Sequence, residues 1–449
     1  MRIKDNFSIP KKELEQSIPN LLEEIANKSL GRLRSDGLFI FPESLQDTED
    51  LSENQMILRS VDDDYRTGNV MGFIGYNNNG TTEQLAICSR FSDEEQDFFL
   101  QYLLNKVLNF PNIFKFQIDG DPNKQILDLI TFLFPIYLKK AVRKGLFKMY
   151  QQKKYNDSNP KGVIDVARHI KQNVPFTGKV SYNRREYTYD NYLMELIRHT
   201  IECIKGKSYG KQVLYMANDE VKAVIEATAN YQRYNRQKIL SENLRHTVRH
   251  AYYHEYRDLQ KLCILILQNQ KQGFGTNNHR IYGILFDGAW LWEEYVNTLI
   301  SEWFYHPKNK KGEGYHHLFQ GGNGKIFPDF IGKDKKSRII ADAKYKPIQN
   351  IDNNDYYQVL AYMMRFDAKK GLYFYPKGSN TEKSNTTELH LLCGSRYEDG
   401  ELLRNDIIGL NKIGFCVPHE TTNDYNLFCK AMQESEKKFF QELKKHSLN

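Results

Sequence analysis

The stretch IFPDFIGKDKKSRIIADAKYKP, residues 326–347, places two aspartates inside short apolar runs. Asp329 interrupts the first run and Asp342 the second, with the polar turn GKDKKS between them. Apolar runs of this length on either side of a turn read as a hairpin. Burying a bare carboxylate is costly, so a chain that sets two in neighbouring strands needs something to neutralise them. Lys344 follows Asp342 by two positions, and the strand period of two puts both on one face. Asp329 and Asp342 can then converge at one end of the hairpin. Two carboxylates and a lysine at one spot suit a hard, oxygen-ligated cation such as Mg²⁺. A metal held there offsets the repulsion between carboxylates and a phosphate, while the lysine orients or deprotonates the attacking water. That is the chemistry of phosphodiester hydrolysis. The competing reading is a solvated hairpin whose charges only keep it soluble.

Two neighbours weigh against the solvated hairpin. Gln358 and Tyr362 lie one turn apart on one face of the helix that follows, DYYQVLAYMMRF. The helix that precedes, AWLWEEYVNTLISEWFY, offers an acid, and angular position selects which one. At about 100° per residue, Trp292, Tyr295, Val296, Leu299, Ile300 and Trp303 make one apolar stripe. Glu294 projects opposite that stripe and is expected in solvent. Glu293 falls on its flank, within reach of the sheet edge, and is the candidate third ligand.

A chain of 449 residues exceeds one ordinary core, so several domains are expected. Residues 1–120 mix short strands and turns: NVMGFIGY and QLAICSRF flank an Asn/Gly turn and read as a hairpin. The helix after them, SDEEQDFFLQYLLNKVL, starts with a Ser92–Glu95 capping box. Residues 121–275 read as mainly helical, including one long helix over ENLRHTVRHAYYHEYRDLQKLCILILQN. Residues 276–449 read as an α/β unit in the order helix, hairpin, helix, strand. Read as separate domains, the first segment should be removable without unfolding the last.

Composition narrows the setting. The net charge of +7, from 63 basic and 56 acidic residues, permits a nucleic-acid partner without requiring one. Six scattered cysteines without a CxxC pair argue against a zinc knuckle or a disulfide framework and suit a reducing cytoplasm. The first residues lack the apolar core of a secretion signal. The most apolar run, ILDLITFLFPIYL, is too short for a bilayer and contains Asp128 and Pro135, so no membrane association is expected.

Taken together, Glu293, Pro328-Asp329, Asp342-Ala343-Lys344 and Gln358-x-x-x-Tyr362 resemble the full PD-(D/E)xK nuclease signature. More narrowly they resemble McrC, the nuclease-subunit family of McrBC-type modification-dependent restriction systems. LFDGAWLWEEYV before the motif and KYKP, DYYQVLAYM and GLYFYP after it carry the similarity outward. So do KGLFKMYQQKKY, KGVIDVARHI and GKVSYNRREYTYDNYLMELI upstream, giving a reach of about residues 140–376. The opening region, with LAICSRFSDEEQDFFLQYLLNKVL, is more similar to the corresponding subunit of LlaJI-like restriction systems.

The resemblance implies a C-terminal PD-(D/E)xK restriction-endonuclease-like domain, a mixed α+β N-terminal domain and a helical middle region. It implies a Mg²⁺-dependent DNA endonuclease subunit of an anti-phage restriction system. Asp329 and Asp342 would bind metal, Lys344 would assist the nucleophile, and Glu293 would be an accessory acid. Gln358 and Tyr362 would support the site or contact the phosphate backbone. The partner implied is a McrB-like AAA+ GTPase hexamer that binds the GTP itself and is stimulated by the N-terminal domain. In keeping with that division, GKS at 206–208 lacks the upstream glycine of a phosphate loop. The alternatives are a non-catalytic activator of such a motor and a standalone repair-type nuclease.

Two further features are ambiguous by sequence. Lys139, Lys140, Arg143, Lys144, Lys148, Lys153 and Lys154 could follow a DNA backbone or simply solvate a helix. His246, His250 and His254 recur every four residues and would share one face of the long helix. No carboxylate or cysteine set completes a zinc site with them.

Overall fold

The computed structural model describes residues 1–36, 38–41, 54–78, 81–92, 97–107, 122–269, 281–307, 314–378, 386–393, 403–419 and 424–447. The chain divides into two compact units. One joins residues Met1–Asn123 to Gly275–Asn449; the other is Lys124–Phe274.

The first segment contributes β1 (Arg2–Lys4), β2 (Leu38–Phe41), the hairpin β3 (Val70–Asn78) and β4 (Thr81–Cys88), and helix α1 (Phe98–Val107). The hairpin lies where the apolar alternation puts it. The start of α1 differs from the sequence expectation. Asp97 supplies the carboxylate, accepting from Leu100 N–H at 3.2 Å and from the Ser92 hydroxyl at 3.0 Å. Ser92 thus serves the cap from outside the helix, and Glu95 lies outside the described residues.

The middle unit is less helical than its sequence suggested. Helix α2 (Pro122–Val142) ends before Arg143, and MYQQKKY belongs to strand β5 (Met149–Asp157). Next come β6 (Val163–Ile164), α3 (Val166–Asn173) and β7 (Val180–Thr188), and the three strands form a sheet in the order β5-β7-β6. Directly opposed tyrosines knit the sheet: Tyr155 stacks on Tyr182 at 5.4 Å, and Tyr150 meets Tyr187 at 4.9 Å. Helix α4 (Tyr192–Lys205) follows, with Gly206 of the GKS triplet at its C-terminal end.

The long histidine-bearing helix is two helices, α5 (Arg236–Arg245) and α6 (Glu255–Asn269). The buried Gln260 explains the break. Its carboxamide accepts from Val248 N–H at 3.0 Å and donates to the His246 carbonyl at 3.0 Å. Backbone groups that a continuous helix would pair internally are taken by that side chain. His246, His250 and His254 therefore share no helical face.

The third segment opens with β8 (Ile281–Asp287), which runs directly into α7 (Gly288–Ile300). β8 does not stand with the strands that follow it. It pairs antiparallel to β3 and parallel to β2, completing a five-stranded sheet in the order β1-β4-β3-β8-β2. The segments 1–120 and 276–449, separate on sequence grounds, thereby share one unit. After α7 come β9 (Phe304–Tyr305), the small pair β10 (His316–His317) and β11 (Lys325–Ile326), then β12 (Phe330–Gly332) and β13 (Ile339–Ala343). Helix α8 (Asn353–Phe366), β14 (Lys370–Gly378), β15 (Thr386–Cys393), β16 (Leu403–Val417) and α9 (Tyr425–Ser447) complete it. The second sheet is mixed, in the order β9-β12-β13-β14-β16-β15.

Aromatic packing fixes α7 on that sheet. Trp292 is fully buried, donates to the Phe374 carbonyl at 3.0 Å and meets Phe415 edge-on. Burial of each such side chain is worth about 1.5–3 kcal/mol. Glu436 of α9 accepts from the hydroxyls of Tyr102 and Tyr295 at 2.7 and 2.9 Å, tying α1, α7 and α9 together. Among the described residues no helix is long and apolar enough to cross a membrane.

Candidate active site

The register of β12 and β13 sets Phe330 opposite Ala341 and Ile331 opposite Ile340. One step outward, Asp329 faces Asp342 across the end of the antiparallel pair. Ala343 N–H donates to Asp329 Oδ2 at 2.9 Å, holding that carboxylate against the neighbouring strand. Asp342 is 1% exposed. Burial pushes the Asp329 carboxyl well above the usual carboxylate range, and the charges of Asp342 and Glu293 push it further the same way.

Lys344 supplies the counter-charge. Its ammonium lies 2.7 Å from Asp342 Oδ2 and 3.4 Å from Asp355 Oδ1, and it donates to Gln358 Oε1 at 3.0 Å. Gln358 in turn donates to the Tyr362 hydroxyl at 2.7 Å. Burial works against the ammonium, yet the carboxylates of Asp342 and Asp329 outweigh it and hold Lys344 charged. Helix α8 is placed for this by a capping box between Asp352 and Asp355.

Glu293 is buried on the flank of α7 and Glu294 is more exposed, with side chains 10% and 32% accessible. Both approach His306, whose Nε2 lies 3.8 Å from Glu293 and 3.5 Å from Glu294. Nδ1 of His306 bonds the Asp329 carbonyl at 2.9 Å, and its ring stacks on Phe330. Burial alone would lower the His306 pKa, but the hydrogen bond to Glu294 and the charge of Glu293 carry it upward.

Sequence reasoning overlooked His306 and Asp355. Nothing near His306 in the chain marks it, because its partners come from α7 and from residue 329. Asp355 did carry a signal, the D-x-x-D spacing of its capping box. It pairs with Lys346 at 2.6 Å as well as with Lys344. Burial tends to raise its pKa, but the Lys346 hydrogen bond and the Lys344 charge hold it below the ordinary carboxylate range.

Asp329 and Asp342 offer hard oxygen ligands, and their mutual repulsion is the kind that a divalent cation relieves. Among the described residues no group of three or more His, Cys, Asp or Glu side chains converges to hold an ion. Two carboxylates fit Mg²⁺, which commonly keeps several waters and takes one or two protein carboxylates. Glu293 acts on the pair through its charge and does not complete such a group.

The expected basic stripe does not form one surface of a helix. Lys139 and Lys140 are exposed in the last turn of α2, and Arg143 is exposed just past it. Lys144 is engaged with Glu255 at 2.8 Å, and Lys148 sits 4.2 Å over the Tyr189 ring.

Residues 65–376 match the model of a family described as the McrBC 5-methylcytosine restriction system component. The chain belongs to this family. It is similar at 12% identity to a chain in a half-complex from the tetradecameric assembly of Thermococcus gammatolerans McrB AAA+ hexamers with bound McrC. That match covers 97% of this chain and 99% of the other, with a TM-score of 0.46. The cryo-EM structure of the Thermococcus gammatolerans McrBC complex also matches at 12% identity, over 67% of this chain and 87% of the other, with a TM-score of 0.30. No curated protein matches.

Proposed function

We propose that this McrBC-family chain is the Mg²⁺-dependent DNA endonuclease subunit of a restriction system, acting through a PD-(D/E)xK nuclease domain. One observation carries the reading: Asp329 facing Asp342, with the Lys344 ammonium 2.7 Å from Asp342 and backed by Gln358. Family membership supports the restriction setting. GTP hydrolysis is assigned to a separate McrB-like AAA+ hexamer, because this sequence carries no phosphate-binding glycine loop.

Asp329 and Asp342 would hold Mg²⁺, which when bound stabilises negative charge developing on the scissile phosphate. Lys344 is kept charged by its carboxylate neighbours, which suits a hydrogen-bond donor to the phosphate or the attacking water and not a base. Gln358 fixes the ammonium from the far side and is fixed itself by Tyr362. Asp355 shares its charge between Lys344 and Lys346, so neither lysine is drawn away. Lys139, Lys140 and Arg143 remain candidates for backbone contact, while Lys144 and Lys148 are committed within their own unit.

The test is cleavage of methylated and unmethylated duplex DNA by the full chain with its AAA+ partner, GTP and Mg²⁺. Asp342→Ala should abolish cutting, and Lys344→Ala should slow it by about two to four decades. Stimulation of the partner's GTPase should survive both. Cutting retained by Asp342→Ala would refute the site. A wild-type chain that stimulates the GTPase and never cuts would favour the non-catalytic activator.

A further inference from the structure

Lys344 projects toward the carboxylates, and the next residue, Tyr345, turns the other way. Tyr345 is 4% exposed and enters a shell built by residues more than 250 positions earlier in the chain. Its hydroxyl lies 2.6 Å from Ser89 Oγ and 3.2 Å from Met71 Sδ. The Arg90 guanidinium covers its ring at 4.8 Å, and Phe91 meets that ring edge-on at 5.1 Å. Arg90 Nη2 also donates to the Tyr345 carbonyl at 3.0 Å.

Arg90 is itself immobilised. Its backbone N–H donates to Asp5 Oδ1 at 2.6 Å, its Nη2 lies 3.1 Å from Asp5 Oδ2, and Nη2 donates to Asn69 Oδ1 at 2.6 Å. Asp5 is fully buried just past β1, and its N–H bonds the Cys88 carbonyl at 2.9 Å. One terminal nitrogen of the guanidinium meets a carboxylate, an amide and a carbonyl while the guanidinium plane covers the Tyr345 ring, and lysine lacks that flat face.

The position of this clamp gives it consequence. Lys344 N–H makes the last rung to β14, donating to the Phe374 carbonyl at 2.8 Å. Beyond that rung the chain turns tightly, with Lys346 N–H on the Lys344 carbonyl at 2.9 Å. The peptide between Tyr345 and Lys346 is the point where Arg90 takes hold. On either side of it stand the two lysines that share Asp355.

We propose that Arg90, oriented by Asp5, is a positioning residue for Lys344, so that the N-terminal strands complete the nuclease site. The proposal rests on the nuclease reading above. It predicts that loosening Arg90 harms the chemical step through Lys344 and leaves DNA binding alone.

A double-mutant cycle tests it on the full chain with its AAA+ partner, using wild type, Arg90→Lys, Lys344→Ala and the combination. Arg90→Lys should slow single-turnover cleavage by roughly 10- to 100-fold at unchanged DNA affinity, the scale expected for misplacement of about 1 Å. In the Lys344→Ala background the same substitution should cost nothing more, because residues that act through one another are not additive. An equal loss in both backgrounds, a loss confined to DNA affinity, or no loss at all would overturn the proposal. Hydrogen exchange gives a readout independent of activity: residues 344–350 should exchange faster in Arg90→Lys while β14 keeps its protection. If wild type proves unable to cut, the nuclease reading fails and exchange alone decides the clamp; unchanged exchange there overturns it. Should Arg90→Lys not fold, Asn69→Ala removes one of Arg90's anchors and must move both readouts in the same direction.

Discussion

Asp329 shows how one side chain registers the needs of a site. Its folded-state pKa is raised by burial first and by Asp342 and Glu293 next. The unfolded value lies near 4, so above that pH the native chain holds more proton than the unfolded one. Stability therefore falls as pH rises through this window, by at most about 1.4 kcal/mol for each unit crossed. Asp329→Asn should remove part of that slope, leaving metal-free protein at pH 8 as stable as wild type or more so. Added Mg²⁺ should stabilise wild type and not the variant. Thermal unfolding between pH 5 and 8, with and without Mg²⁺, measures both effects. A variant as steep as wild type would place the proton on another group, and Asp5, raised mainly by burial to about 7, is the obvious one.

Among the elements, α7 shows why a helix start matters to a site residue, Glu293, five positions further on. Asp287 caps it, accepting from Ala289 N–H at 2.9 Å and Trp290 N–H at 3.3 Å. Gly288 follows because a Cβ there would lie 2.7 Å from Cε1 of the Tyr345 ring. Gly288→Ala must move either the helix or the ring, which by overpacking should cost about 1–3 kcal/mol. The expected outcome is a lower unfolding temperature together with slower cleavage, since Glu293 sits on the helix and Lys344 next to the ring. Unchanged stability would mean that the ring has room to withdraw. Other elements show the limits of pattern reading. The strand MYQQKKYND was missed because its period-2 pattern is written in polar and aromatic residues, not in an apolar alternation. The helix that was to carry three histidines was broken by one distant glutamine, which no local propensity encodes.

For the whole molecule, the controlling fact is that β8 lies between β3 and β2. A chain shortened to begin at residue 121 would lose both neighbours of β8 along with Ser89, Arg90 and Phe91. Buried residues of β8 such as Ile284 and Leu285 would then be uncovered on an unpaired strand. Such a chain should aggregate or melt well below the full protein instead of leaving an intact C-terminal domain. Size-exclusion chromatography and thermal unfolding report the result. A monomeric, cooperatively folded product would show that the second sheet stands alone and that the sharing of β8 is incidental.

The sequence by itself determined the hairpin of 330–343, the helix with Gln358 and Tyr362 on one face, and the choice of Glu293 over Glu294 for the buried flank. These follow from local periodicity, and periods of 2 and 3.6 are legible in a single chain. It also carried enough pattern to mark the McrBC family. Tertiary structure alone decided that β8 leaves its sequence neighbours for the N-terminal sheet and that His306 bridges α7 to the Asp329 backbone. It alone brought Arg90 to the carbonyl beside Lys344. Each of these joins residues tens to hundreds of positions apart through geometry and buried charge. A carboxylate or guanidinium reveals no partner in its own neighbourhood when the group that neutralises it arrives from another part of the fold.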